Sequence, residues 1–140
     1  MPEESTTPDL VELVRQSFEA GNSREFDAIM SIYAPDAVWD MSLAGLGMFE
    51  GAAAIRSFLE DWIGSYVEYE NKLEENRYLG NGFVFTVARL DGRPVDGPGR
   101  VQEQWAFTSE WAAGMIVRVA ARNDIDEARV AAERLAEERG

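Results

Sequence analysis

The chain has 140 residues, which is long enough to bury a hydrophobic core and within the usual range for one domain. Its 13 basic and 26 acidic side chains give a net charge of −13, which makes a nucleic acid an unfavourable partner. The sequence contains neither Cys nor His, which excludes thiol nucleophiles, disulfides and imidazole-based sites. Any acid–base chemistry would fall to Asp, Glu or Tyr.

The N-terminal part of the sequence predicts a short tail and two helices. Residues 1–6 are typical of an acidic tail, and Thr7-Pro8 is a favourable helix start. Apolar residues at helical spacing over 10–18 predict the first helix, which ends at a glycine. A second, shorter helix is expected from Ser23 through Tyr33, ending before a proline.

The middle of the chain predicts a strand, a loop and a long helix. The segment AVWDM, residues 37–41, is typical of a short strand. The glycine-rich run SLAGLGMFEG, residues 42–51, is typical of a loop that either closes over a cavity mouth or packs against the core. Large apolar rings at three- and four-residue intervals then predict a third helix from about Gly51 to Tyr66.

The C-terminal half predicts strands and a final helix. From residue 68 the apolar period changes to two, and Asn81-Gly82 is a strong hairpin signal. The segments 68–79, GFVFTVARL, VQEQWAFTSEW and MIVRVAAR predict four adjacent strands of an antiparallel meander. Asp124 followed by Glu127 forms a capping box that begins a C-terminal helix, residues 124–138.

Together the elements predict an α+β fold in one domain, residues 1–140. A curved antiparallel sheet would wrap like a cone around the long third helix, with two further N-terminal helices and one C-terminal helix. The open end of such a cone is a natural place for a mostly apolar ligand pocket.

The sequence gives no sign of a membrane protein. No window approaches the length of apolar chain that a spanning helix needs, and the net negative charge disfavours anionic membrane surfaces. The first ten residues, MPEESTTPDL, lack the pattern of a secretory signal. We therefore expect a cytoplasmic protein that binds neither membranes nor nucleic acids.

Three segments carry a resemblance to a known family: FDAIMSIYAPDAVWDM, FEGAAAIRSFLEDW and WAAGMIVRVAARNDIDEARVAA. They resemble the SnoaL-like branch of the nuclear transport factor 2-like superfamily, which includes ketosteroid isomerase and limonene epoxide hydrolase. The resemblance covers roughly residues 8–133. It implies a small hydrophobic ligand, no cofactor and a homodimer, and it does not choose between enzymes and binding modules.

The catalytic residues of ketosteroid isomerase are only partly matched. The resemblance places the proton-abstracting Asp at Asp40, although a strict count from the preceding strand gives Met41. The two oxyanion donors of that enzyme would fall on Val14 and near Phe107, neither of which can donate. The resemblance therefore argues against steroid isomerisation by that mechanism.

The other enzymes of the superfamily are matched no better. Limonene epoxide hydrolase resembles this fold with an Asp–Arg–Asp set on its strands, and no such set falls on one face here. SnoaL-type cyclases use an Asp on the last strand, where this chain has Asn123 and Asp124. No complete set of catalytic residues from these enzymes is matched in this sequence.

The residues themselves nominate two candidate catalytic carboxylates, Asp40 and Glu103. Period two places Glu103 on one face with aromatic residues, and the family resemblance implies that this face is the concave one; there burial would raise the pKa of Glu103, or Glu103 would lie hydrated at the rim. Asp40 would act as a base only if it faced inward, with Trp39 outward; otherwise it is a solvated strand-end carboxylate. Two acids without a third oxygen ligand do not indicate a metal site, so we predict no metal.

The candidate pocket combines helix-borne rings, strand-borne rings and small residues of the last strand. Tyr33 is the residue that we would choose to hydrogen-bond a ligand oxygen. Arg118 and Arg122 fall on the opposite face and are expected to pair with acids there or across a dimer. The predicted pocket residues are Tyr33, Trp39, Phe49, Phe58, Trp62, Trp105, Phe107, Val119, Ala121 and Asn123.

Two functions stay open at this level. The first is a cofactor-free isomerase, cyclase or hydrolase, with Asp40 or Glu103 as the acid–base residue and Tyr33 or Asn123 orienting a substrate oxygen. The second is a non-catalytic small-molecule-binding or dimerisation module. Missing oxyanion donors favour the second.

Overall fold

The computed structural model describes residues 9–139, and within them four helices and six strands. The helices are α1 (Leu10–Asn22), α2 (Phe26–Met30), α3 (Ala52–Gly64) and α4 (Ile125–Arg139). The strands are β1 (Tyr33–Met41), β2 (Gly47–Glu50), β3 (Tyr66–Gly80), β4 (Phe83–Pro94), β5 (Val101–Ala112) and β6 (Met115–Arg122). The tail predicted over 1–6 and the cap predicted at Thr7-Pro8 lie outside the described residues.

The strands form one open sheet in the order β2-β1-β6-β5-β4-β3. All neighbours are antiparallel except β1 and β6, which run parallel. The predicted α+β class and the four-strand meander from β3 to β6 are confirmed. The parallel pair, which the sequence did not predict, makes the sheet mixed and joins β1 to the last strand.

The two faces of the sheet pack against different helices. Along β4 and β5 the register pairs Ala88 with Trp105 and Thr86 with Phe107, so these residues share the inner face, towards α1 and α3. The intervening residues form the outer face. There the buried residues Phe85, Val87 and Ala106 of the sheet cluster with Ala128 and Ala132 of α4.

The second helix is shorter than predicted, and this part of the prediction is wrong at both ends. Ser23 caps the C-terminus of α1, and α2 ends at Met30. Tyr33 begins β1, and the backbone N–H of Ile116 donates to the carbonyl of Ile32 at 2.8 Å. Pairing with β6 therefore draws this segment into the sheet, where the apolar spacing alone favoured a helix.

Two other segments also differ from the prediction, and one predicted boundary is confirmed. The predicted loop 42–51 contains a 3-10 turn, Ser42–Ala44, and β2, which pairs with β1. The third helix ends at Gly64, and Tyr66 opens β3. The capping role of Asp124 is confirmed, since its side chain accepts from the N–H of Glu127 at 3.0 Å.

Between residues 9 and 139, every helix falls short of the length and apolar character that crossing a membrane requires.

Candidate functional site

A cavity of about 80 Å³ lies between the inner face of the sheet and helices α1 and α3. Eight of its sixteen lining residues are aromatic, and all sixteen are uncharged side chains or glycine. The volume corresponds to roughly five to eight water-sized spheres, enough for a compact organic molecule. The lining residues are Ser17, Phe18, Gly21, Ile29, Tyr33, Trp39, Met41, Phe58, Leu59, Trp62, Ile63, Tyr69, Asn71, Leu90, Trp105 and Phe107.

Several rings around the cavity meet at steep angles. The ring planes of Trp62 and Trp105 are 89° apart, with centroids separated by 5.9 Å. Phe107 meets Phe18 at 72° and Trp39 at 65°, with centroid distances of 5.4 and 6.2 Å. Edge-to-face contacts of this kind are favourable for pairs of rings. The cavity is thus surrounded by rings in several orientations.

Two polar atoms on the cavity wall are buried without a partner. Within the described chain, Trp39 Nε1 and Asn71 Oδ1 make no hydrogen bond. The backbone N–H of Asn71 is held by Asn22 Oδ1 at 2.7 Å, and Asn71 Nδ2 donates to the hydroxyl of Tyr69 at 3.2 Å. The amide is therefore fixed in place with its oxygen unpaired, which carries a desolvation cost.

The two tyrosines on the wall are neutral hydrogen-bonding groups. Burial raises the pKa of Tyr69 to about 12, an effect that the hydrogen bond from Asn71 only partly offsets. Burial also raises the pKa of Tyr33. Both phenols keep their protons at physiological pH, so they can orient a ligand but do not serve as bases.

Six of the ten predicted pocket residues line the cavity. They are Tyr33, Trp39, Phe58, Trp62, Trp105 and Phe107.

The other four predicted pocket residues lie outside the lining, which corrects the sequence-based expectation. Phe49 stacks on Phe58, with centroids 4.2 Å apart. Val119 is the register partner of Trp39, and Ala121 is that of Phe107, so the larger rings supply the wall at these levels. Asn123 follows the end of β6 and is exposed.

Asp40 faces away from the cavity. Because Trp39 points inward, the next residue of β1 lies on the outer face. The Asp40 carboxylate accepts hydrogen bonds from the N–H and Oγ of Ser42, at 2.9 and 2.6 Å, and from Arg118 at 2.7 Å. The bonds from Ser42 and the nearby Arg118 charge lower its pKa. The inward orientation that a general base needs is not observed, whereas the outer-face pairing expected for Arg118 is.

Glu103 lies at the rim of the cavity. It is exposed, it pairs in register with Leu90, and its Oε1 accepts from Trp105 Nε1 at 3.1 Å. Its charge, together with burial, raises the pKa of Tyr66. Of the two orientations that the sequence left open for Glu103, the structure has the hydrated one.

Sequence reasoning missed the contribution of β3. Tyr69 and Asn71 line the cavity, but β3 is rich in charged residues, so the sequence alone nominates none of its residues for the pocket. The signal was present as period two, because the inward positions 69 and 71 carry an aromatic ring and a neutral amide between charged neighbours. Residues 9–139 also contain no cluster of three or more acidic residues able to hold a metal ion.

The family model of the SnoaL-like domain matches residues 14–119. The chain belongs to the SnoaL-like family. A search of curated proteins gives no significant match.

Solved structures share the fold of this SnoaL-like protein at low sequence identity. A ketosteroid isomerase-like protein of Catenulispora acidiphila, in complex with trimethylamine, is 14% identical, covers 83% of this chain and 85% of its own, and has a TM-score of 0.70. TerC, co-crystallised with polyporic acid, is 18% identical over 91% and 97% of the two chains, with a TM-score of 0.69. A candidate SnoaL-like polyketide cyclase of Shewanella putrefaciens is 13% identical over 92% and 98%, with a TM-score of 0.68. The predicted superfamily is confirmed.

Proposed function

We propose that this SnoaL-like protein binds a small, mainly apolar molecule in the aromatic cavity. The observation that carries the proposal is the cavity itself, which is lined by eight aromatic rings and by no charged side chain. Two lining residues, Trp39 and Asn71, each also hold a buried polar atom without a partner, whereas buried polar groups are nearly always hydrogen-bonded. The ligand would be mainly apolar, with at most a small polar group.

Other features of the site support binding. A concave, mostly apolar site with a few fixed polar groups is typical of small-molecule pockets. Two proteins of the same fold were crystallised with small molecules, trimethylamine in one and polyporic acid in the other.

The geometry supports a binding module better than an enzyme. Asp40 is on the outer face, Glu103 is hydrated at the rim, and the phenols of Tyr33 and Tyr69 keep their protons. Acid–base catalysis needs a group that changes protonation within reach of the ligand. Among the sixteen lining residues, we find no such group with a pKa suited to neutral pH.

Binding can be tested with tert-butanol, a compact probe that has an apolar body and one hydroxyl group. We expect it to raise the melting temperature and to change the fluorescence of the three cavity tryptophans, Trp39, Trp62 and Trp105. The variant Ser17→Leu should lose both responses, because residue 17 lines the cavity on α1 and a leucine would fill it.

The matched control is Ser57→Leu, which makes the same change at an exposed position of α3. It should respond to the probe as the unaltered protein does. An equal response in Ser17→Leu, or no response of the unaltered protein to either tert-butanol or tetramethylammonium, would contradict the proposed site.

The homodimer expected from the family resemblance stays a prediction. Helix α4 covers the outer face of β3, β4 and β5, so a second copy would have to use the rest of that face. Met48 of β2 is exposed there, opposite Asp40 in register. Light scattering should give twice the chain mass of 15.6 kDa if the dimer forms, and the single mass would refute it.

A further inference from the structure

We propose that the cavity selects a compact alkylammonium cation over a neutral molecule of the same shape. The inference rests on the proposed function, because it assigns a ligand class to the same cavity.

The aromatic rings provide the attraction. The face of an aromatic ring carries negative potential, and Trp, Tyr and Phe faces bind organic cations, most strongly where water is excluded. Eight rings line this cavity, and three of them are tryptophans, the strongest cation-binding side chain. Trp62 meets Trp105 at 89° and Phe18 meets Phe107 at 72°, so the rings around the cavity are not all parallel, and a compact cation can contact rings in more than one direction.

The acceptor on the wall has the matching polarity. Asn71 lines the cavity; its Oδ1 is buried without a partner, its Nδ2 donates to the hydroxyl of Tyr69, and its backbone N–H donates to Asn22 Oδ1. The dipole of a carbonyl group whose oxygen is unpaired lowers the energy of a nearby positive charge. Among the described lining residues there is no Lys or Arg to oppose a cation.

The rim adds a negative charge. Glu103 is exposed beside Trp105 and Leu90, both of which line the cavity. The Glu103 carboxylate accepts a hydrogen bond from the indole N–H of Trp105, so the positive edge of that ring is turned towards the carboxylate. With a net charge of −13 on the whole chain, the long-range field also attracts cations to the mouth.

Two other features of the molecule do not support a comparable inference. The Asp40–Ser42–Arg118 cluster is fully explained as a structural ion pair on the outer face. The segment 43–48 has exposed apolar residues, but nothing in the described structure identifies what would cover them.

The test compares tetramethylammonium chloride with tert-butanol, two compact tetrahedral molecules with the same number of non-hydrogen atoms. Titration followed by tryptophan fluorescence and calorimetry should give a dissociation constant about tenfold lower for tetramethylammonium. Sodium chloride at the same concentration serves as the salt control.

A variant that removes the Glu103 charge tests the contribution of the rim to cation binding. Glu103→Gln keeps an acceptor for the Trp105 N–H and removes the charge, so tetramethylammonium should bind roughly twofold to fivefold more weakly. Binding of tert-butanol should not change. The matched control is Glu137→Gln, an equal change of net charge at an exposed position on α4, which should leave both affinities unchanged.

The outcomes separate the two proposals. Equal or tighter binding of tert-butanol would overturn the cation preference and leave the proposed function in place. If neither probe binds in the cavity, and Ser17→Leu behaves as the unaltered protein, the proposed function itself fails. A loss of cation affinity in Glu137→Gln as large as that in Glu103→Gln would show a general charge effect and overturn the role of the rim.

Discussion

The two faces of the sheet pack against helices that present side chains of very different size. On the outer face, α4 presents the small residues Ala128, Ala132 and Ala136, all buried, to the sheet. On the inner face, α3 presents the large residues Phe58 and Trp62. The face with the smaller side chains is closely packed, whereas the face with the larger rings encloses a cavity.

The difference teaches that side-chain size does not determine how well a core is filled. Alanines let a helix approach the strands closely, so few gaps remain at the interface. Between the rings of the inner face a cavity of about 80 Å³ remains. The outer face therefore contributes a small packed cluster, and the inner face contributes the larger core together with the site.

The largest expected effect comes from removing one ring from each face. Phe85 is fully buried under α4, and the Arg129 guanidinium lies 5.1 Å from its ring centroid. Phe85→Ala should lower the free energy of unfolding by about 3–5 kcal/mol. Phe107→Ala should cost roughly half as much, because that ring already lacks contacts on its cavity side. Urea denaturation followed by circular dichroism measures both, and equal losses would refute the contrast.

A smaller effect is expected from adding volume to each face. Ala132 has no exposed surface, so Ala132→Leu should destabilise the protein by about 1–3 kcal/mol through overpacking. Ser17→Leu adds its side chain to the cavity, so its free energy of unfolding should change by less than about 1 kcal/mol. If Ser17→Leu destabilises the protein as strongly as Ala132→Leu, the inner face is as tightly packed as the outer.

The charges on the outer face predict a pH dependence. Hydrogen bonds from Ser42 and the Arg118 charge lower the pKa of Asp40 below its ordinary value of 3.8. A lowered pKa in the folded state stabilises the protein above the ordinary value, and the stabilisation is lost as the pH falls through the folded-state value. Asp40→Asn should therefore cost about 1 kcal/mol at pH 7.

Below pH 3.8 the difference between the Asp40→Asn variant and the unaltered protein should shrink towards zero. Urea midpoints for both proteins at several pH values measure it. A difference that stays constant down to low pH would show that the Asp40 ion pair contributes nothing through its charge.

The smallest effect is expected on the solvent side of α4. Val130 is 54% exposed, so Val130→Gln should change the free energy of unfolding by no more than about 0.5 kcal/mol. Thermal unfolding measures it. A large loss would mean that packing on the outer face extends beyond the alanine stripe.

The sequence predicted the meander and its turns well because each has a local cause. At the hairpin between β3 and β4, Asn81 and Gly82 adopt φ values of 57° and 86°, which this residue pair favours in tight hairpin turns. The capping box at Asp124 likewise needs only its own segment. Most of the cavity rings were also predicted, because their spacing along α3 and β5 assigns their faces.

The parts that the sequence did not predict depend on contacts that are distant along the chain. The position of Tyr33 fits the apolar stripe of a helix, but pairing with β6 places this residue in the sheet. The sequence did not determine which side chains of β1 point inward, since a shift of one residue exchanges Trp39 with Asp40. Burial of an indole and solvation of a carboxylate favour the observed choice, and that energetic comparison could have decided the matter.

The parallel pairing of β1 with β6 affects how the protein reaches its folded state. The ion pair across these strands joins Asp40 and Arg118, which are 78 residues apart in sequence. Contacts of such long sequence separation slow folding, because the chain must close a long loop before they form. Trp39 reaches the other cavity rings only when β1 docks. In a refolding experiment, the capacity to bind a ligand should consequently emerge with the slowest kinetic phase, after the local hairpin between β3 and β4 has formed.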